Sequence, residues 1–205
     1  MPVKFLASHN CIIFGPSRAG KTEFMLQVIR QKLVHPMPKS IFWMYNLEED
    51  WMKRWNESEE QPITFIKGMN FDLMDTSAPS LLVVDDLILS GDNKEMATCF
   101  ILGSHHKSIS TFYITQNLFP NCPMFRLISG NSHYFVLFNS QRHFRQINTL
   151  ARQIFCGKDL KRITNAYLRS LKQPRGFIVL SFPPGLPEEL TVLTDWWQWF
   201  PSVYL

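Results

Sequence analysis

The sequence has no long apolar run and few cysteines, and both absences limit the class of protein it can encode. Hydrophobic residues make up 45% of the 205 positions, yet no apolar run reaches the roughly 18 residues that a membrane-spanning helix needs. The four cysteines are widely separated and form no CxxC pair; they are Cys11, Cys99, Cys122 and Cys156. This spacing argues against a zinc ribbon or a disulfide framework and indicates a reducing compartment.

The first residues also lack the features of a secretion signal, because they carry one lysine and only a short apolar patch. We therefore expect a protein that is neither secreted nor associated with a membrane. Charged residues make up 19% and aromatic residues 14% of the chain, which is typical of a globular domain. The net charge of +4 weakly favours a polyanionic partner, although many proteins of similar charge have no role with nucleic acids.

Short apolar runs alternate with amphipathic stretches along the chain, and this alternation predicts the fold. Strands are predicted at Cys11–Phe14, Ile41–Tyr45, Leu81–Asp85, Thr111–Thr115, Tyr134–Phe138 and Phe177–Leu180. Helices are predicted at Lys21–Val34, Glu48–Asn56, Lys94–Leu102, Arg145–Phe155 and Asp159–Leu171. We therefore predict an α/β fold in one domain, with a mostly parallel sheet and helices on both faces.

The predicted domain covers residues 1–190, and residues 191–205 form an aromatic C-terminal tail. The tail contains Trp196, Trp197 and Trp199. It is expected either to fold back on the core or to dock on a partner, because aromatic anchors concentrate binding energy.

Residues 15–22 match the phosphate-binding consensus G-x-x-x-x-G-K-[ST] without a mismatch. The matching residues are Gly15, Pro16, Ser17, Arg18, Ala19, Gly20, Lys21 and Thr22. The glycines let consecutive backbone N–H groups point at phosphate oxygens at the start of a helix. Lys21 is expected to reach the β- and γ-phosphates of ATP, and the Thr22 hydroxyl is expected to bind Mg²⁺.

An acidic pair ends a second predicted strand. The segment SLLVVDDL places Asp85 and Asp86 directly after four apolar residues. Asp85 is expected to hold the magnesium, directly or through water, and Asp86 is a candidate general base for an attacking water. The alternative is that Asp86 only caps a turn. The strand-like SIFWMY lies between the phosphate loop and this pair in the chain, which favours the additional-strand class of P-loop ATPases.

A polar pair follows the next predicted strand. The segment ISTFYITQNLF ends at Gln116 and Asn117, where the strand would leave the sheet. A side-chain amide at Gln116 can contact the γ-phosphate and the attacking water together. The alternative is that both residues only form a turn.

The phosphate loop, LLVVDDL and GSHHKSISTFYITQNLF together resemble the genome-packaging ATPases of the FtsK–HerA superfamily. Within it, the small viral and Polinton-like (adintovirus-type) packaging ATPases are the most similar branch. The segment QRHFRQINTLARQIF is similar to the arginine-rich strand-to-helix segment of that branch. The resemblance spans residues 10–190.

The resemblance implies a RecA-like ATPase that uses ATP and Mg²⁺, with Lys21, Asp86 and Gln116 as catalytic residues and Thr22 and Asp85 at the metal. It implies a homo-oligomeric ring, a hexamer, that threads double-stranded DNA through its centre and packages a viral genome. A capsid protein is an expected partner. The expected location is the interior of the host cell where virions assemble, in particular the nucleus, and the virion itself.

In that family a neighbouring subunit supplies an arginine finger to the γ-phosphate. Many relatives have an arginine where this chain has His105, so the finger is expected elsewhere. Arg142 and Arg145 are the candidates, of which Arg142 is preferred, and Arg126 stands behind them. The alternative role for these arginines is a solvated helix start or a contact with DNA phosphates.

The sequence is also compatible with two other functions. A small P-loop kinase would use the same phosphate loop but needs an acceptor pocket and a lid, and no lid is evident. A nucleotide-gated scaffold would bind ATP and oligomerise with little hydrolysis, but it has no need of Lys21, Thr22, Asp85 and Asp86 together. The pattern therefore favours an ATPase.

Overall fold

The computed structural model describes residues 4–58, 61–87, 96, 98–103, 108–155, 157–194 and 202–203. The strands within these ranges are β1 (Phe5–Leu6), β2 (Cys11–Phe14), β3 (Val34–His35), β4 (Ser40–Tyr45), β5 (Thr64–Lys67), β6 (Ser80–Asp85), β7 (Ile109–Thr115), β8 (Tyr134–Phe138), β9 (Phe177–Ser181), β10 (Val192–Thr194) and β11 (Ser202–Val203). The α-helices are α1 (Lys21–Arg30), α2 (Asp50–Glu57), α3 (Pro123–Gly130), α4 (Phe144–Ile154) and α5 (Gly157–Ser170).

Nine of the described strands form one sheet, in the order β11-β10-β9-β8-β2-β7-β6-β4-β5. All neighbours from β8 to β5 run parallel. The strands β9, β10 and β11 extend one edge in antiparallel pairs. A separate parallel pair is formed by β1 and β3. The predicted α/β fold with a mostly parallel sheet is confirmed.

Helices cover both faces of this sheet, because the central strands are apolar on both sides. In β2, Ile12 and Phe14 belong to the core that packs against α3, α4 and α5. Their neighbours Cys11 and Ile13 belong to a second core, which packs against α1 and α2. Adjacent side chains of a strand point to opposite faces, so one four-residue strand contributes to both cores.

The strand β7 lies between β2, which leads into the phosphate loop, and β6, which ends at the acidic pair. The segment SIFWMY, which separates these motifs in the chain, forms β4 on the far side of β6. The additional strand is therefore present, but it is the one that ends before Gln116. Because β2, β7 and β6 are parallel, their carboxyl ends meet at one edge of the sheet.

Element boundaries depart from prediction in several places. The helix predicted to reach Val34 ends at Arg30, since Lys32 adopts a positive φ of 53° and the Leu33 N–H donates to the Val28 carbonyl. Part of the helix predicted at residues 94–102 lies outside the described residues, and Cys99–Gly103 forms a π-helical turn. The elements β5 and α3 were not predicted.

Residues 192–194 of the predicted tail form β10 and pair with β9. The three tryptophans at 196, 197 and 199 lie outside the described residues, so their predicted packing or docking stays a prediction. Among the described residues, no helix has both the length and the apolar character needed to cross a membrane.

Candidate active site

The phosphate loop connects β2 to α1, and its backbone shape depends on glycine at both ends. A Cβ on Gly15 would lie 2.6 Å from the Cβ of Phe138, closer than two non-bonded carbon atoms can approach. Gly20 directly precedes α1 with a φ of 103°, in the left-handed region that favours glycine. The loop is tied to the neighbouring strand, since the Gly15 N–H donates to the Thr115 carbonyl at 3.3 Å.

Lys21 is buried at the start of α1, with its ammonium turned towards its own loop. The Nζ atom donates to the carbonyls of Gly15 at 2.9 Å and Pro16 at 2.8 Å. Burial lowers the pKa of Lys21, while the charges of Asp86 and Asp85 raise it again. The lysine charge is therefore held within electrostatic reach of both carboxylates.

Asp85 is the last residue of β6 and is half-buried. Burial and the neighbouring charge of Asp86 together raise its pKa to about 6, against the opposing effect of Lys21. The site thus carries more negative charge than one ammonium offsets. The Thr22 hydroxyl lines the same cleft, and oxygen donors next to uncompensated carboxylates fit Mg²⁺. Thr22 and Asp85 are therefore suited to hold that ion.

Asp86 is exposed and is joined to Gln116 across the gap between β6 and β7. The Gln116 Nε2 atom donates to Asp86 Oδ2 at 2.5 Å. Asp86 adopts a positive φ of 48°, which is uncommon for a residue other than glycine. Its N–H donates to the Ile114 carbonyl at 3.1 Å, so β7 fixes both ends of this residue. The carboxylate is held at the mouth of the cleft, where a water has access.

One cleft of about 370 Å³ is lined by part of the predicted phosphate loop together with the acidic pair and Gln116. The predicted residues that line it are Ser17, Arg18, Lys21, Thr22, Asp85, Asp86 and Gln116. The remaining loop residues Gly15, Pro16, Ala19 and Gly20 do not line it. The structure therefore brings together residues that are up to a hundred positions apart in the chain.

The segment from the end of β4 to the first turn of α2 completes the cleft and was missed by sequence reasoning. It contributes Tyr45, Asn46, Leu47, Glu49 and Met52. The charge of Glu49 acts on the Asp85 carboxyl and raises its pKa. A signal was present in the sequence, because YNLEED follows a buried strand in the same way that the acidic pair follows β6.

The candidate arginines do not line this cleft. Arg142 is exposed in the short 3₁₀ turn Gln141–His143 that follows β8, and Arg145 is exposed in the first turn of α4. Arg126 is exposed on α3 and borders a separate cleft of about 390 Å³. Residues 104–107, which include His105, lie outside the described residues.

No protein-family model and no curated protein matches this sequence. Solved structures match in three dimensions. B204, the DNA-packaging ATPase of Sulfolobus Turreted Icosahedral Virus, gives a TM-score of 0.53 at 9% identity, covering 85% of this chain and 93% of its own. The genome packaging NTPase B204 of Sulfolobus turreted icosahedral virus 2, in complex with ATP-γS, gives 0.52 at 10% identity over 85% and 92%.

A third similar structure is the flagellar accessory protein FlaH of Methanocaldococcus jannaschii, with a TM-score of 0.52 at 10% identity over 98% of this chain and 89% of FlaH. The chain has a P-loop NTPase fold. At these identities the likeness concerns the fold and not the activity. As expected of a P-loop NTPase, the loop that follows β2 and the carboxylates that follow β6 face each other across the end of β7.

Proposed function

We propose that this chain is an ATP-driven translocase of double-stranded DNA, the motor that packages a viral genome into its capsid. The observation that carries the proposal is the convergence of Lys21, Asp85, Asp86 and Gln116 in one cleft. These side chains supply a phosphate-binding cation, a metal ligand and a positioned carboxylate, the groups that ATP hydrolysis needs. The motif resemblance and the fold shared with B204 support a role in packaging.

In the proposed reaction, Lys21 exchanges its bonds with the Gly15 and Pro16 carbonyls for oxygens of the β- and γ-phosphates. Mg²⁺ held by Thr22 and Asp85 would neutralise phosphate charge. Asp86 accepts a proton from the attacking water, and Gln116 holds that carboxylate in place.

The exposure of the Asp86–Gln116 pair favours water as the acceptor of the phosphoryl group. Both side chains are open to solvent at the cleft mouth, whereas a kinase places its acceptor in a closed pocket to exclude water. Hydrolysis is therefore favoured over transfer to a small molecule.

We also propose that the protein acts as a homo-oligomeric ring, a hexamer, in which Arg142 of one subunit completes the site of the next. Arg142 is exposed and follows β8, a neighbour of the phosphate-loop strand, without lining its own cleft. Arg142→Ala should retain ATP binding and lose about 10³-fold or more in hydrolysis. The matched control is Arg152→Ala, exposed on α4; equal hydrolysis by both variants would reject the assignment.

We further propose that the protein docks on a capsid protein. It would act in the interior of the infected cell, in particular in the nucleus, and associate with the virion. These proposals follow from the family resemblance. Binding of the purified ring to empty capsids, with and without ATP, would test the partner directly.

The deciding experiment measures steady-state ATP hydrolysis with and without long double-stranded DNA, next to a Lys21→Ala control. Stimulation by DNA that disappears in the control, and that weakens as salt rises, would support translocation. Hydrolysis that is indifferent to DNA would refute the motor. Phosphate transferred to a small acceptor would indicate a kinase, and tight ATP binding without turnover would indicate a scaffold.

A further inference from the structure

A second cleft, of about 190 Å³, lies beside the phosphate loop. Its lining includes Gly20, Glu23, Gln27, Phe138, Arg175 and Phe177. It shares no lining residue with the cleft that contains the carboxylates. In the sheet, β8 and β9 stand on one side of β2, and β7 and β6 stand on the other. The two clefts therefore occupy opposite flanks of the same loop.

The position of the carboxylates sets the direction in which a nucleotide lies on the loop. This step rests on the proposed function. The reacting terminal phosphate must lie near Asp86 and Gln116, on the β6–β7 side. The nucleoside then leaves the loop on the opposite side, towards β8 and β9. Glu23 and Gln27 line the second cleft from the first turns of α1, so this cleft lies where the base would emerge.

The turn that carries Arg175 is fastened to the end of β8. The Asn139 Nδ2 atom donates to the carbonyls of Ser170 at 2.6 Å and Gln173 at 2.8 Å. The Asn139 N–H donates to the Gly176 carbonyl at 2.8 Å. A Cβ on Gly176 would collide with the Ser170 carbonyl oxygen, so the turn is also closed tightly. These contacts fix the backbone next to the phosphate loop.

The Arg175 side chain reaches the loop from this turn. Its Cδ atom lies 3.6 Å from the position that a Cβ on Gly20 would take. Its backbone has a positive φ of 53°, an uncommon conformation for arginine. Arg175 is exposed and lines the second cleft together with the partly exposed Phe177.

We propose that this cleft binds the purine base of the nucleotide, with the base stacked on the Arg175 guanidinium and bordered by Phe177. A guanidinium is planar and weakly hydrated, so it stacks well on a flat heteroaromatic ring. The Phe177 ring is itself held by Phe138 and Phe24, with ring centroids 5.2 Å and 5.0 Å away. It therefore offers a fixed apolar edge.

The polar groups of the cleft also favour a base over a phosphate. Glu23 lies on the rim, and its Oε1 accepts from Gln27 Nε2 at 2.9 Å. Its second carboxylate oxygen remains an acceptor for an amino group such as that of adenine. A phosphate at the same place would meet a like charge.

Binding of MgATP and of magnesium tripolyphosphate, which lacks a nucleoside, separates a base contact from a phosphate contact. Arg175→Ala should weaken MgATP binding about 5- to 100-fold and leave tripolyphosphate binding unchanged. Arg175→Lys should not restore ATP affinity, because an ammonium keeps the charge but cannot stack. Arg169→Ala, exposed on α5, is the matched control. Arg175 is exposed, so these variants should fold, and circular dichroism would verify it.

The outcomes are distinct from failure of the proposed function. Equal losses of ATP and tripolyphosphate affinity in Arg175→Ala would place the arginine on the phosphates and overturn the proposal. An unchanged ATP affinity, or full rescue by lysine, would also overturn it. Failure of the phosphate site itself would instead appear as no ATP binding by the unaltered protein, or as binding that survives Lys21→Ala.

Discussion

Replacing Asp85 with asparagine should stabilise the fold while abolishing ATP hydrolysis. Asp85 is half-buried at the end of β6, and burial together with the charge of Asp86 raises its pKa to about 6 from an ordinary value of 3.8. Between these two pH values the folded protein binds the proton more tightly than the unfolded chain does. The free energy of unfolding therefore falls as pH rises through this window and stays lower above it.

The size of the effect follows from the shift in pKa. A rise of about two units corresponds to about 3 kcal/mol in favour of the protonated form. Asp85 keeps part of its solvent contact, so we expect about 1–3 kcal/mol in the protein. Asparagine carries no charge to bury, and Asp85→Asn should gain this amount at pH 8 and almost nothing at pH 4.

Urea unfolding at pH 4 and pH 8, without nucleotide or metal, measures this difference, and ATP hydrolysis at pH 8 measures the loss of activity. Asp72→Asn is the control, because Asp72 is exposed in the 3₁₀ turn Phe71–Leu73 and should change stability by less than about 0.5 kcal/mol at either pH. The reasoning is refuted if Asp85→Asn is no more stable than the unaltered protein at pH 8, or if its gain is equal at both pH values.

Three further changes test the same site. Gly15→Ala should abolish ATP binding, because the added Cβ would lie 2.6 Å from that of Phe138; Gly130→Ala is the control, because its added Cβ would meet nothing within 4 Å, and normal binding by Gly15→Ala would contradict the reasoning. Gln116→Ala should lower kcat about 10²-fold with unchanged ATP affinity, since it removes the amide that holds the carboxylate of Asp86, the proposed general base; an equal loss of affinity would point to a binding role instead. Glu49→Gln should move the acidic limb of the kcat/KM profile to lower pH, because the charge of Glu49 raises the pKa of Asp85; a shift to higher pH would show that the sign is wrong.

The fold was predictable where local pattern and long-range burial agree. The central strands are continuous apolar runs, so β2, β4, β6, β7 and β8 were located to within a residue or two. Prediction failed at β5, an edge strand of four residues in which only Ile66 is fully buried. It also failed at α3, which begins at Pro123 within a stretch that reads as a loop.

Only those residues of the site that belong to short sequence motifs could be predicted from the sequence. The phosphate loop and the acidic pair are recognisable from their sequence patterns, and the parallel sheet brings them to one edge. Glu49 and Arg175 come to line the two clefts only because distant segments meet. The strand β4 pairs with β6, and the turn after α5 is hydrogen-bonded to Asn139. No local pattern indicates the contact of Arg175 with the loop, whereas the polar segment YNLEED after β4 did mark the position of Glu49. The catalytic roles assigned to the motif residues remain predictions for mutagenesis.

The central place of β2 has a consequence for synthesis on the ribosome. Cys11 pairs with Phe112 of β7 on one side and with Tyr134 of β8 on the other. At about 5–20 residues per second, the strand that carries the nucleotide loop emerges with both edges unpaired and waits roughly 5–25 seconds for its neighbours. A nascent or truncated chain that stops before β7 can therefore hold no nucleotide and offers an apolar strand to other chains. Timely chaperone capture of that first segment would then govern the yield of active protein.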